Sequence, residues 1–372
     1  MKFSKLAKVT VVATVSLALA VPTLTSASAA SKFSTATSAS QAGGIAGLTA
    51  ACKAEGQLNV IALPHDWANY GLMIEGFKAT YGVKIDEANP DGTSQDEIDA
   101  ANNNKGTSRS PDVFDVGLTA ATQYLGKGVY APYKVRNWAN HVGAAAVSSA
   151  EYTPNYTGTM TIGYDGSLGT ITNINDLLKP VFKGKVTING NPLKASAGLN
   201  SLFMINLALG GTFDDLSPAV AWFKKLKEVG NFINVDPTTA SIASGQTPVV
   251  MDNGYNAVAV AQKFKAAGKS WKMFTPASVG STYNSAVSAW APHPACARLW
   301  MEYSLGEAGA NFWATGGATP TLWAWMVKTG RAPADGVAVI GKVKTAAAAA
   351  TSDQVTKARA YLTTAWPAAV GA

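Results

Sequence analysis

The sequence predicts an α/β fold built in two blocks, each a sheet of mostly parallel strands flanked by helices. Short apolar runs alternate with helically spaced stretches in a β-α-β-α-β-α succession from residue 58 onward. A second stretch of the same style fills the middle of the chain as a separate block. A length of 372 residues, 47% hydrophobic and only 14% charged, gives globular material for about two domains.

The elements follow in order. Lys2, Lys5 and Lys8, the apolar run "VTVVATVSLALAV" and the small residues "ASA" at 27–29 make residues 1–29 an expected secretory leader. Pro22 and the Ser/Thr/Ala run end the apolar segment early, which argues against a membrane anchor. No cysteine follows it, so no lipid attachment site is seen. An exported location, periplasmic or extracellular, is expected. Residues 30–44 are expected to be a flexible Ser/Ala/Thr linker. "LNVIAL" (58–63) suits a buried strand. "NYGLMIEGFKATYG" spaces Leu72, Ile74, Phe77 and Tyr81 for a helix stopped by Gly82. "VKIDEA", the polar helix "TSQDEIDAANNN" and the strand "PDVFDVG" come next, then a helix from "TAATQYLGKG". In the middle block, "TGTMTIGYD" and "KVTING" read as strands, and "SAGLNSLFMINLALGG" and "SPAVAWFKKLKEVGN" as helices. "TPVVMDNGYNAVAVAQKFKAAG" runs from strand into helix, and the chain beyond "STYNSAVSAWAPHP" is mostly helical.

Charge and motifs exclude several classes. Removing the three leader lysines takes the formal +7 to +4, and the basic residues are scattered among acids, so no nucleic-acid partner is expected. G-x-S-x-G, H-E-x-x-H, a P-loop and a strand-following GxGxxG are all absent. Only two cysteines and three histidines occur, without metal-ligand spacing. No cofactor, metal or catalytic residue is therefore expected. His65 adjoins Asp66, but adjacent side chains on an extended segment point apart.

Ligands of open α/β sheets sit beyond the carboxyl ends of strands, and polar and aromatic residues gather there in both blocks. The first strand is followed by Asp66, Trp67, Asn69 and Tyr70, and the third ends with Asp115 and leads to Thr119. "TMTIG" is followed by Tyr164 and Asp165, and "PVV" by Asp252 and Tyr255.

The segment "APHPACARLWMEYSLGEAGANFWATGGATP" (291–320) resembles the C-terminal signature of bacterial extracellular solute-binding proteins of ABC importers. "LNVIALPHDWANYGLMIEGFKATYGVKI" is similar to their first strand and helix, and "GQTPVVMDNGYNAVA" to the segment leading into the second lobe's pocket loop. The resemblance, to the polyamine/iron/phosphonate-like group with the type II periplasmic binding fold, spans about residues 50–370. It implies a first lobe of 45–155 plus 285–372 and a second of 156–284. It also implies a monomer that closes on a small solute and hands it to an ABC permease. Tyr283 would lie where the chain crosses back between lobes. Cys52 and Cys296 would both belong to the first lobe, where a disulfide would tie its two halves. The adjacent tyrosines by which iron-binding members hold metal are absent.

Four aspartates, Asp66, Asp115, Asp165 and Asp252, follow predicted strands with aromatics beside three of them, which favours an organic cation of polyamine type. The alternative is a phosphonate or other small anion at "KASAGLNS" (194–201), held by Lys194 and amides near Asn200. A secreted enzyme on a similar scaffold, or a sensor ligand for a receptor, are the further alternatives.

Overall fold

The protein is described by a computed structural model over residues 32–342 and 347–371; the expected leader, 1–29, lies outside these. The first part of the chain forms α1 (Gly44–Glu55), β1 (Gln57–Ile61), α2 (Tyr70–Tyr81), β2 (Lys84–Ala88), α3 (Ser94–Asn103), β3 (Val113–Gly117), α4 (Leu118–Gln123) and β4 (Tyr130–Ala131). Local chemistry sets the boundaries. Gly82, in the left-handed region, ends α2, and Thr93 and Asp96 form a reciprocal cap that starts α3.

The 13-residue strand β5 (Thr153–Asp165) then crosses into the second part. There β6 (Val186–Ile188), α5 (Ser196–Ala208), α6 (Ser217–Glu228), α7 (Thr239–Ala243), β7 (Val249–Asn253), α8 (Gly254–Ala266) and β8 (Trp271–Phe274) follow. Strand β9 (Gly280–Ser288) carries the chain back. It leads to α9 (Pro294–Ser304), α10 (Glu307–Thr315), β10 (Thr319–Pro320), α11 (Trp323–Lys328), α12 (Ala334–Ile340) and α13 (Ser352–Val370).

Two large hydrophobic cores result, with three smaller clusters among the described residues. Leu58, Val60, Met73, Ile74, Phe77, Leu299 and Trp313 belong to the first. Ile162, Phe203, Phe223, Val249 and Trp366 belong to the second. β5 serves both: residues 153–159 pair with β9, and 160–165 pair with β7 and β8. A disulfide joins Cys52 of α1 to Cys296 of α9 across 244 residues of sequence.

Three features differ from the sequence reading. β1 and β2 form a parallel pair of their own, and the eight-stranded sheet is mixed: β6–β7 are parallel, whereas β3–β9, β5–β9 and β5–β7 are antiparallel. Both crossing strands run against their neighbours, a geometry that periodicity alone does not reveal. The described part of the expected linker packs down, with Ala36, Ala39 and Ala42 buried. The buried Arg298 guanidinium donates to the carbonyls of Ser34 and Ala36, which fixes that segment on α9. Last, α13 leaves the first lobe to which 285–372 was assigned. It lays Val355, Leu362, Trp366 and Val370 against the second core, with Trp366 edge-on to Phe223 at 5.2 Å.

Candidate functional site

A cavity of about 160 Å³ lies between the two cores. From the first lobe it is bounded by the β1–α2 loop, the start of α3 and the end of β3. From the second it is bounded by the start of α5, the segment into α7, the end of β7 and one face of α8.

The β1–α2 loop presents Asp66 and Trp67. Ala62, Ala68 and Asn69 all take positive φ (55°, 45° and 63°), a conformation that costs about 1–2 kcal/mol for each such residue. Asn69 anchors the loop by donating from Nδ2 to the Phe312 carbonyl and Thr315 Oγ1, both at 3.1 Å. Trp67 Nε1 donates to the Tyr156 hydroxyl at 3.1 Å, and the indole packs 5.7 Å from the rings of both Tyr255 and Tyr283.

Carboxylates dominate the wall. Asp66, Asp91, Glu97, Asp115, Asp236 and Asp252 line the cavity, against a single lysine, Lys263. Asp115 accepts from Asn155 Nδ2 at 2.6 Å and the Tyr156 hydroxyl at 2.8 Å. Burial pushes its carboxyl up to about 6, against the stabilising hydrogen bonds of Tyr156, Asn155 and Tyr70. Glu97 accepts the Asp115 amide at 2.8 Å. Its burial, and then the charge of Asp115, raise it well above the usual carboxylate range. Across the cleft, Asp252 accepts from Asn256 Nδ2 at 2.8 Å and from the Asn253 amide at 2.6 Å, and burial pushes it also to about 6.

Asp66 behaves differently. Burial opposes its ionisation, but the Lys263 ammonium at 2.5 Å and the Thr239 hydroxyl outweigh this and hold it below its ordinary value. This contact bridges the lobes at the cleft. The lobes also meet where Gly117, at the end of β3, faces Ser196 at the start of α5. A Cβ on Gly117 would collide with the Ser196 side chain. Among the described residues the buried Ser196 hydroxyl has no hydrogen-bond partner, nor does Asn256 Oδ1.

Of the residues singled out from sequence, Asp66, Trp67, Asp115, Asp252 and Tyr283 line this cavity. Tyr70 and Tyr255 are fully buried behind it, Tyr70 near Asp115 and Tyr255 with its ring 5.6 Å from Tyr156. Asn69 holds the loop and does not line the cavity. Thr119 is half-buried on α4, and Asn200 lies one turn into α5, beyond Ser196 and Ala197, which do line it. Tyr164 and Asp165 are elsewhere: Tyr164 is in the second core, its hydroxyl accepting the Ile171 amide, and Asp165 caps a short turn through Ser167. The reason is direction. β5 runs away from the cleft as it enters the second lobe, whereas the antiparallel β7 runs toward it, so the carboxyl end of β7 reaches the site and that of β5 does not. His65 is an exposed partner of Glu87 at 2.6 Å, outside the cavity.

Glu97, Asn155, Tyr156, Asn189 and Lys263 did not stand out in sequence, whereas Ser196 lies within the 194–201 segment that offers an anion site. Glu97 sits on a polar helix with the pattern of a solvated face. The pair "NY" at 155–156 precedes what reads as the strand proper. No group of three or more His, Cys, Asp or Glu among the described residues is arranged to hold a metal ion. Among them, too, no helix is long and apolar enough to cross a membrane.

Residues 108–335 match the sequence family described as bacterial extracellular solute-binding protein. No curated protein sequence matches the chain. Among solved structures, the periplasmic binding protein AgtB from A. tumefaciens R10, in complex with agropinic acid, is similar with a TM-score of 0.62 at 15% identity. The match covers 85% of this chain and 98% of that one. AfuA from Actinobacillus pleuropneumoniae, with fructose-6-phosphate bound, gives 0.60 at 18% identity, covering 85% and 98%. The TpPotD lipoprotein of Treponema pallidum gives 0.57 at 13% identity, covering 84% and 99%.

Proposed function

The chain belongs to the bacterial extracellular solute-binding proteins, and on that premise we propose that it captures a small organic cation of polyamine type between its lobes. The observation that carries this reading is the charge of the cleft wall, six carboxylates against one lysine that is already paired with Asp66. Three of them, Glu97, Asp115 and Asp252, are buried and make no ion pair among the described residues. Ionising a buried carboxylate is costly unless a cation arrives. An ammonium group provides that cation, and the face of Trp67 adds a cation–π contact.

The ligand-binding set proposed is Asp66, Trp67, Glu97, Asp115, Asp252 and Tyr283. Size supports a short chain: a cavity of about 150 Å³ holds a benzene-sized molecule, and putrescine has as many heavy atoms. Capture proceeds by closure, because only the closed form contacts the solute from both lobes. An ABC permease of the cytoplasmic membrane then receives the loaded, exported, monomeric protein. No bond of the solute is made or broken.

A second reading has its own observation. The Ser196 hydroxyl, without a partner among the described residues, lines the cavity at the start of the 13-residue helix α5, and helix N-termini favour anions. A small phosphonate would use it. Calorimetric titration with putrescine, spermidine and an aminoalkylphosphonate separates the two. Putrescine is expected to bind; tight binding of the phosphonate alone would overturn the cation reading.

A further inference from the structure

Tyr156 lies on β5 at the point where the chain passes between lobes, and the strand is irregular there. Pro154 pairs with Asn284 and Thr157 with Thr282, so β5 advances three residues while β9 advances two. This is a one-residue bulge, and bulges re-aim side chains. In a regular strand, consecutive side chains point to opposite faces. Here Asn155 and Tyr156 both reach the carboxylate of Asp115, one to each oxygen.

The hydroxyl of Tyr156 has two partners. It donates to Asp115 Oδ2 at 2.8 Å and accepts from Trp67 Nε1 at 3.1 Å. Its ring stacks on Tyr283 of the returning strand, with centroids 5.4 Å apart and planes 8° from parallel. It also meets Tyr255 of the second lobe's α8 edge-on at 5.6 Å. One fully buried side chain thus touches the acid and the aromatic of the first cleft wall, the other crossing strand and the second lobe.

We propose that Tyr156 is the positioning residue for solute capture: through its hydroxyl it locks the Asp115 carboxylate and the Trp67 indole into one preassembled cation receptor on the hinge between the lobes. It does not itself line the cavity. The inference rests on the cation reading above and adds the residue that sets its affinity. Preorganised groups bind more tightly because less ordering is left to the moment of binding.

The groups facing Asp115 decide its ionisation. They are Tyr70 from α2, Glu97 from α3, Asn155 and Tyr156 from β5 and Tyr283 from β9, with Tyr255 from α8 and Asp252 of β7 beyond them. Burial raises the phenols of Tyr70, Tyr156, Tyr255 and Tyr283, so they remain neutral. Removing the Tyr156 hydroxyl deletes a donor to the ionised form and leaves the aromatic packing in place. The carboxyl then holds its proton to higher pH.

The test is calorimetric titration of the full chain with putrescine from pH 5 to 8, for the unaltered protein and for Tyr156→Phe. The variant is expected to lose about tenfold in affinity, and the pH at which affinity falls by half is expected to rise by roughly one unit. A change in packing alone would not move that midpoint. Putrescine binding that is equal in both proteins, with the same midpoint, overturns the role of Tyr156 and leaves the cation reading standing. Failure of the unaltered protein to bind any cation removes the reading itself. If Tyr156→Phe does not fold, proton NMR of the unaltered protein replaces it. A slowly exchanging Tyr156 hydroxyl proton that shifts as Asp115 ionises is expected; one insensitive to that ionisation contradicts the proposal.

Discussion

The two walls of the cleft are built to different standards. On the first lobe, Asp115 has a donor on each oxygen, Glu97 accepts a backbone amide, and the Trp67 indole is fixed by Tyr156. On the second, Asp252 is equally well held by Asn253 and Asn256. On the same wall, however, the Ser196 hydroxyl and Asn256 Oδ1 are buried without partners among the described residues. Buried polar groups left unpaired are costly, and a bound molecule that pairs them recovers that cost. The first wall is a finished receptor, and the second keeps hydrogen-bonding capacity in reserve.

The largest effect should come from breaking the finished wall. Asp115→Asn keeps the shape and removes the charge, and putrescine affinity is expected to fall about 100-fold by calorimetry. The same substitution should stabilise the empty protein at pH 7. Asp115 and Asp252 both titrate near 6 when folded, above the ordinary 3.8. Between those values the folded chain binds more protons than the unfolded one, so this contribution to stability is gained as pH falls from 6 to 4 and lost above 6. For each group the effect is at most about 3 kcal/mol. Thermal melts should show Asp115→Asn above the unaltered protein at pH 7 and level with it near pH 4.

A wedge between the walls comes next. Gly117→Val puts a branched side chain where Ser196 approaches, so the lobes cannot meet. Affinity should fall about tenfold, with a larger radius of gyration in solution scattering. Lys263→Met cuts the bridge from Asp66 and is expected to weaken binding only about threefold, since that pair is half-exposed. Ser196→Ala should be smallest, under about twofold for putrescine. If the reserve on the second wall serves an anionic group, that variant weakens the aminoalkylphosphonate instead.

The same contrast explains what was legible in the sequence. Asp66 and Trp67 follow β1, and Asp115 and Asp252 lie toward the carboxyl ends of β3 and β7; these ends reach the cleft, and the rule that ligands gather there finds them. It misplaced Tyr164 and Asp165 because it assumes parallel strands, and β5 crosses the molecule in the opposite sense. Tyr70 and Tyr255 look like pocket aromatics one residue at a time, yet each starts a helix and turns its ring inward. Glu97 was hidden for the converse reason. On the polar helix α3 it resembles its solvated neighbours, and only the tertiary fold shows it buried on the Asp115 amide. Asn155 and Tyr156 act through a bulge, which no period-two or helical pattern encodes. The last helix, amphipathic by itself, carries no mark of which core its stripe will join.

The central claim is that buried carboxylates take up a cation in the cleft. Calorimetry at pH 6 in buffers of differing ionisation heat measures it most directly. Putrescine binding should release protons, about one from Asp115 and Asp252 together and more where Glu97 ionises with them, because these carboxyls hold protons in the empty cleft and give them up when the ammonium arrives. Binding without proton release, or with uptake, would contradict it.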